Sequence, residues 1–417
     1  MVQFHAGFCT CERQGTLGGA RAIGHKQAMP KLASPHVVNI ADLRALARKR
    51  LPNAAFDYLD GAAEGEQTAR DNIACFNDVI FKPRQAVMTS PDLSTKVLGV
   101  DLAVPFILSP IGYSRMLHPR GELAGAGGAK RIGTGYILST ISGHPLEKVR
   151  EQNDKVFFQV YLMGGREATK RAFARAKALG YRGLFVTIDT AVAGMRERDH
   201  RNGMGPLMAK SLLGKLPYLP EILSHPRWLV RFLVDGGMPG LPNVVTETGP
   251  LQATDVGRAL ENAHVCWEDL KWIREAWDGP VVIKGVMSAD DAQRAVDEGA
   301  DGIVVSNHAG RQLDGVAGSL RVLPGIVERV KGKTQIIFDG GIRRGGDIAK
   351  AICLGAEAVL VGRAYAYGMA AAGDAGVDRA VEILKADLTR TMKLLGANTV
   401  KELTPDLVAL KPGFRVD

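Results

Sequence analysis

A chain of 417 residues, 46% hydrophobic and 23% charged, has ample apolar material for a large core and the charge content of an ordinary soluble protein. Its formal net charge of +9 favours acidic ligands or an anionic membrane surface, yet it shows no zinc spacing, RNP-like aromatic strand or basic zipper helix, so no nucleic-acid partner is expected. Five scattered cysteines argue against a disulfide framework, and no apolar run approaches the roughly 18 residues of a membrane-spanning helix.

Residues 1–37 are Gly-rich and basic without a secretory apolar core, and are set aside as a poorly structured lead. Ile40, Leu43, Leu46 and Ala47 fall at helical spacing and Pro52 breaks the pattern. A second short helix follows over Phe56 to Glu64, with Phe56 and Leu59 as core. Tyr58 lies between them, and if buried its hydroxyl needs a partner.

From about residue 100 the chain alternates apolar strand-like runs with helix-like segments. The runs are Val104–Leu108, Tyr136–Leu138, Val156–Tyr161, Gly183–Ile188, Val281–Lys284, Gly302–Ser306, Gln335–Asp339 and Ala358–Gly362. Eight such units without a Rossmann glycine fingerprint favour a closed (β/α)8 TIM barrel over a doubly wound sheet. Two units repeat one another: Val281 to Val305 and Ile336 to Val361 each read strand, Gly turn, amphipathic helix, Gly-Ala, strand. The expected organisation is therefore an α/β barrel over residues 38–417, with an N-terminal helical segment and a long insertion after strand 4 at about 202–262. The insertion mixes Leu213, Leu216, Leu223, Trp228 and Phe232 with Lys215, Arg227 and Arg231, which fits either an interfacial membrane segment or a lid on the barrel. The helical repeat from Gly376 to Leu395 reads as packing.

Functional residues of such barrels lie at the C-terminal strand ends. Read in order these ends carry Pro110-Ile111-Gly112, Ser139, Gln159 with Tyr161, Thr187 with Asp189, Lys284, Ser306 with His308, Asp339, and Gly362-Arg363. Any one alone reads as a satisfied core polar group, but the set recurs at one edge. Asp339-Gly340-Gly341-Ile-Arg343-Arg-Gly and Gly362-Arg363 offer backbone N–H groups and arginines for an anion after strands seven and eight. The stretch Ser306 to Asp314 delivers a proton-moving His308 and a carboxylate-gripping Arg311 onto one loop.

The His308 loop, Ile-Lys284-Gly-Val, Asp339-Gly-Gly-Ile-Arg-Arg-Gly, Phe158-Gln-Val-Tyr161 and Thr187-Ile-Asp189 together resemble the FMN-dependent 2-hydroxy acid dehydrogenase/oxidase family. The resemblance runs from about residue 38 to the end and is greatest to bacterial respiratory L-lactate dehydrogenases, with mandelate dehydrogenase next. It implies FMN as cofactor, no metal, and oxidation of an L-2-hydroxy acid, L-lactate first, with quinone or cytochrome as acceptor. It further implies a homotetramer in the cytoplasm, peripheral on the inner face of the cell membrane. By resemblance His308 is the base, Asp189 its partner, and Arg196 and Arg311 the carboxylate clamp, with Tyr58 and Tyr161 on carboxylate and hydroxyl. Pro110, Ile111, Gly112, Ser139, Gln159, Thr187, Lys284 and Ser306 then surround the flavin ring and ribityl chain. Asp339, Gly340, Gly341, Arg343, Gly362 and Arg363 hold the ribityl end and phosphate. Met116, Ile141 and Met163 are expected in the substrate wall.

The sequence departs from the family pattern at Ala309, where glycine is usual, and at Ile111, where threonine is common. Gly112 replaces the alanine of family oxidases and leans the resemblance towards a dehydrogenase. Competing readings are an L-mandelate dehydrogenase, an oxygen-using glycolate or lactate oxidase, an FMN isomerase without net redox, an FMN enzyme acting on a peptide-derived substrate, and a non-catalytic barrel.

Overall fold

The computed structural model describes residues 36–208, 213–247, 249–252, 255–261 and 263–416. The lead expected over 1–37 falls almost wholly outside the described residues, as do Cys9 and Cys11.

Eight short parallel strands close into a barrel. They are β1 (Phe106–Leu108), β2 (Tyr136–Leu138), β3 (Val156–Val160), β4 (Leu184–Thr187), β5 (Val281–Val286), β6 (Gly302–Val305), β7 (Gln335–Asp339) and β8 (Ala358–Val361), hydrogen-bonded in chain order. These are the eight apolar runs of the sequence. Their apolar stretches are buried on both faces and so run without alternation, and several end in a polar residue.

The interior has a layered logic. Ile107, Ile137, Phe157, Phe185, Val282, Val304, Ile337 and Leu360, one from each strand, form a single fully buried cluster. Val97, Leu98 and Leu102 of a hairpin (Thr95–Val97 with Val100–Leu102) pack beneath it and close the N-terminal end. Side chains on a strand return to the same face every second residue. Two positions further along, the same inward face therefore carries Ser109, Ser139, Gln159, Thr187, Lys284, Ser306, Asp339 and Gly362. A polar ring sits directly on an apolar floor, at the end of the barrel where the loops leave.

Helices surround this barrel. Helix α1 (Ile40–Arg50) starts at a capping box in which the Asp42 N–H donates to Asn39 Oδ1 at 3.0 Å and the Asn39 N–H to Asp42 Oδ2 at 3.1 Å. Pro52 separates it from α2 (Asn53–Asp60), which brings Tyr58 over the barrel mouth. Helix α3 (Gln67–Ala74) packs against the His308 loop.

Between β4 and β5 the chain forms short helices and a hairpin (Leu241–Thr246 with Gly249–Leu251). Helices α4 (Glu197–Arg201), α5 (Met204–Met208) and α7 (Val256–Glu261) border the barrel mouth, whereas α6 (Pro226–Val234) lies against the α1 side. The ends of the insertion cover the mouth, and its middle exposes apolar side chains. Among the described residues no helix is long and apolar enough to cross a membrane. Helix α8 (Asp374–Leu395) packs Val377, Ala380, Val381, Leu384, Leu388 and Met392 into the core, as its repeat predicts.

Candidate active site

Burying the polar ring is costly unless its members pair with one another. They do. Ser139 Oγ donates to Gln159 Oε1 at 3.1 Å, and Gln159 Nε2 donates to Thr187 Oγ1 at 3.0 Å. Lys284 Nζ donates to Ser306 Oγ at 3.2 Å and stands 3.5 Å from Asp339 Oδ2, which accepts from Ser306 Oγ at 2.9 Å. Two hydrogen-bonded arcs therefore run around the mouth, one neutral and one charged.

Ser306 also accepts from the His308 N–H at 3.1 Å, which ties the ring to the loop after β6. His308, Ala309 and Gly310 all have positive φ (55°, 55° and 75°). Such a run strains the two residues that carry a Cβ and is held by its surroundings. Asn307 braces it: Asn72 Nδ2 donates to Asn307 Oδ1 at 2.8 Å, Asn307 Nδ2 donates back to Asn72 Oδ1 at 3.0 Å, and Asn307 Oδ1 accepts from the Gly310 N–H at 3.2 Å. Gln312 Nε2 donates to the carbonyls of Asp189 and Val192 and locks the loop after β6 to the loop after β4.

His308 Nδ1 lies 2.8 Å from Asp189 Oδ1, which also accepts from Thr190 Oγ1 at 3.1 Å. Asp189 Oδ2 is buried without a hydrogen-bond partner. Gly285 makes room for it, since a Cβ there would fall 2.6 Å from Asp189 Cβ. Burial raises the Asp189 pKa, but His308 and Lys284 outweigh it and hold the carboxylate below its ordinary range. Burial holds the His308 imidazole below its ordinary range; Asp189 counters this, and Lys284 adds to it. The resting pair is a carboxylate and a neutral imidazole whose Nε2 is the basic nitrogen.

Opposite stand two arginines. Arg311 lies over the Tyr58 ring at 5.1 Å, and its Nη1 donates to the carbonyls of Tyr58 at 2.7 Å and Gly61 at 2.8 Å. Burial first, and then the Arg196 guanidinium, push the Arg311 pKa down to about 10. Arg196 is 3.3 Å from Asp199, whose carboxylate is raised by burial and has one oxygen without a partner. Two guanidiniums converging in one recess repel each other and favour an anion between them. The Tyr58 hydroxyl donates to the Gly112 carbonyl at 3.2 Å. Burial raises the phenol pKa of Tyr58, and burial with Asp189 nearby raises that of Tyr161, so both are neutral donors.

A cavity of about 440 Å³ joins these groups. Tyr58, Tyr161, Arg196, His308 and Arg311 line it, and so do Pro110, Ile111, Gly112, Ser139, Gln159, Thr187, Lys284, Asp339, Gly362 and Arg363. Asp189 and Ser306 stand behind the wall and act on it through His308 and Lys284. Three expected anion-site residues lie off the cavity. Gly340 and Gly341 allow α3 to approach, since a Cβ at Gly341 would fall 1.8 Å from the Asn72 carbonyl oxygen. Arg343 Nη1 donates to the Ile342 carbonyl, and its guanidinium faces the Tyr367 ring. Arg363 reaches the cavity but donates to the carbonyls of Leu59, Gly61 and Ala309. Of the expected substrate wall Ile141 lines the cavity, Met163 is buried behind it, and Met116 borders a different cavity. The chain between β4 and β5 adds Asp199, His200, Met204, Val256 and Leu260 to the wall. Nothing in the irregular sequence of that segment marks them, because no strand period points to a face.

Comparison with known proteins places this geometry in context. A family model described as FMN-dependent dehydrogenase matches residues 47–410. An L-lactate dehydrogenase of Ectopseudomonas mendocina is 40% identical over 88% of this chain and 97% of its own. A pre-mycofactocin synthase of Mycolicibacterium smegmatis is 38% identical over 90% of this chain and 94% of its own. The crystal structure of the monotopic membrane protein (S)-mandelate dehydrogenase superposes with a TM-score of 0.83 at 38% identity, covering 90% of this chain and 100% of that one.

The strained loop yields a stability prediction. Ala309 holds a left-handed conformation that a methyl group disfavours by about 1 kcal/mol. Ala309→Gly should relieve that strain and raise the thermal midpoint by about a degree or more, partly offset by the freer unfolded chain. A lower midpoint would mean the methyl is packed to advantage.

Proposed function

The chain belongs to the FMN-dependent dehydrogenase family, and from that membership we propose that it oxidises the carbinol of a small L-2-hydroxy acid, L-lactate first, and passes the electrons to a quinone or cytochrome. The observation that carries this reading is the His308–Asp189 pair facing the same cavity as Arg196 and Arg311. One side offers a base, the other a carboxylate clamp, and a 2-hydroxy acid needs both on adjacent carbons.

The cavity suits the family's cofactor. A flat ring needs an unobstructed wall and donors along one edge. Gly112 leaves the first, where a Cβ would come 3.2 Å from Ile141 Cβ. Gln159, Thr187 and Lys284 provide the second. Pro110, Ile111, Gly112, Ser139, Gln159, Thr187 and Lys284 would hold the ring and ribityl chain, and Asp339, Gly362 and Arg363 the remainder. When bound, FMN supplies the two-electron acceptor.

The protein's own groups do the rest. Arg311 and Arg196 bind the substrate carboxylate and relieve their mutual repulsion by doing so. Neutral Tyr58 and Tyr161 donate to the carboxylate and the reacting hydroxyl. His308 Nε2 takes the hydroxyl proton, and Asp189 stabilises the imidazolium that forms. Lys284, a buried ammonium on the same cavity, stabilises negative charge that develops beside it. The paired arginines favour a free carboxylate over the peptide-derived substrate of the competing reading. The apolar surface of α6, with Val230, Leu233 and Val234 exposed, supports peripheral contact with a membrane, where a quinone would be met.

An anaerobic absorbance spectrum before and after L-lactate, and then L-mandelate, tests the reading directly. The flavin band should bleach with the preferred acid and recover slowly in air. A band that no 2-hydroxy acid bleaches would refute the proposal, and fast recovery with peroxide would make the protein an oxidase.

Arg311→Met should lower kcat/KM about a hundredfold, chiefly through KM, with the flavin retained. Loss of flavin instead would place Arg311 in the cofactor site.

The pH dependence follows from the sign of the His308 shift. The base works when neutral, so activity falls as pH drops through its depressed pKa, and the acid limb of kcat/KM should lie below the ordinary imidazole value of about 6.5. Asp189→Asn removes the group that raises the His308 pKa. The limb should move to still lower pH while plateau kcat drops about a hundredfold or more. A limb that moves up would contradict the pairing.

A further inference from the structure

A second cavity, of about 420 Å³, lies where the end of α1 and the turn at 114–119 face α6. Lys49, Arg50, Arg227 and Arg231 line it, and none of the four side chains has an ion-pair or hydrogen-bond partner among the described residues. Arg115 borders the same space but is satisfied by Asp235 at 2.7 Å. The end of α1 gives Lys49 and Arg50 a favourable helix terminus. That account fails for Arg227, which stands on the first turn of α6, where the helix dipole repels a cation. Burial, Arg231 and Arg227 together hold the Arg50 guanidinium below its ordinary range. Cations gathered at this mutual cost mark an anion site.

The surroundings specify the anion's source. Met116, Trp228 and Phe232 line the same cavity; Trp228 stacks on Phe232 at 4.8 Å, and its indole N–H donates to the Met116 carbonyl at 2.8 Å. Beyond them α6 turns Val230, Leu233 and Val234 outward at 60%, 62% and 84% exposure, and Leu213, Leu216 and Leu223 are exposed on the preceding turns. Cations lining a cavity beside outward apolar side chains match the pairing of phosphate and acyl chain in a lipid. A free phosphate would leave the apolar side chains without purpose.

We propose that this cavity is a headgroup site, binding the phosphate of an acidic phospholipid while the exposed side chains of α6 enter the acyl boundary. The proposal rests on the peripheral-membrane part of the functional reading and not on its hydroxy acid chemistry.

Sedimentation of the flavin-loaded full-length protein with vesicles tests it, comparing phosphatidylcholine alone with phosphatidylcholine mixed with phosphatidylglycerol. Wild type should bind the mixed vesicles preferentially. Each cation near an anionic surface contributes about fivefold wherever it sits. R50Q/R231Q should therefore weaken binding at least about tenfold further than K215Q/K271Q, which removes two unpaired cations outside the cavity. Flavin absorbance and the melting curve check folding. Should the double variant misfold, Arg227→Gln against Lys215→Gln makes the same comparison on exposed side chains. Equal losses would reduce the effect to diffuse attraction and overturn the proposal, as would equal binding to both vesicles. Inorganic phosphate that raises the melting midpoint, without any preference for phosphatidylglycerol, would make this a small-anion site and also overturn it. No turnover enters the assay, so failure to oxidise any hydroxy acid is a separate result.

Discussion

The two-residue period of eight short strands sets the whole arrangement. Inward positions of the first layer are apolar from every strand, and they form a floor closed below by Val97, Leu98 and Leu102. The next inward positions cannot also be apolar if the barrel is to hold a polar ligand. Six of the eight are Ser139, Gln159, Thr187, Lys284, Ser306 and Asp339, satisfied through one another. Such a ring tolerates burial because few of its donors lack an acceptor. It also holds Lys284 in place on the cavity wall, where a mobile lysine would seek water.

The His308 loop depends on that ring and on helix α3. Ser306 couples the backbone of His308 to Lys284 and Asp339, while Asn72 and Asn307 pair side chain to side chain. Strain at His308 and Ala309 persists because these contacts overdetermine the conformation. The glycines at 285, 310 and 341 then read as consequences of close approach. Each lets a neighbouring element, Asp189, Ala69 or Asn72, come nearer than a Cβ permits.

This explains what was legible in the chain and what was not. Strands of Val, Ile and Phe ending in a polar residue announce both the barrel and the ring, because burial on both faces and strand polarity act locally in sequence. Gly340 and Gly341 read as a phosphate loop, and a glycine pair gives the same signal whether a ligand or a helix approaches, so the close approach of Asn72 was not legible in it. Met116 and Met163 suited a substrate wall by residue type, yet their placement depends on which side of a turn faces the barrel. Asp199, Met204, Val256 and Leu260 stayed hidden because short helices of the insertion reach the cavity through tertiary packing and not through a period.

Charge sorts the basic residues into two kinds. Arg198 reaches Asp57, Asp60 and Glu66, and Arg44 reaches Asp60 at 2.6 Å. These cations join α2 to its neighbours and are consumed by structure. Arg196 with Arg311, and Arg50 with Arg227 and Arg231, face cavities and repel one another, although Arg196 also lies 3.3 Å from Asp199. Folding gains nothing from such repulsion, so the packing that fixes these side chains must bear it. An anion entering either cavity would remove it, and the binding energy so released would have been stored when the chain folded. Arginines matched by several carboxylates thus tie elements together, and those that crowd one another face the cavities.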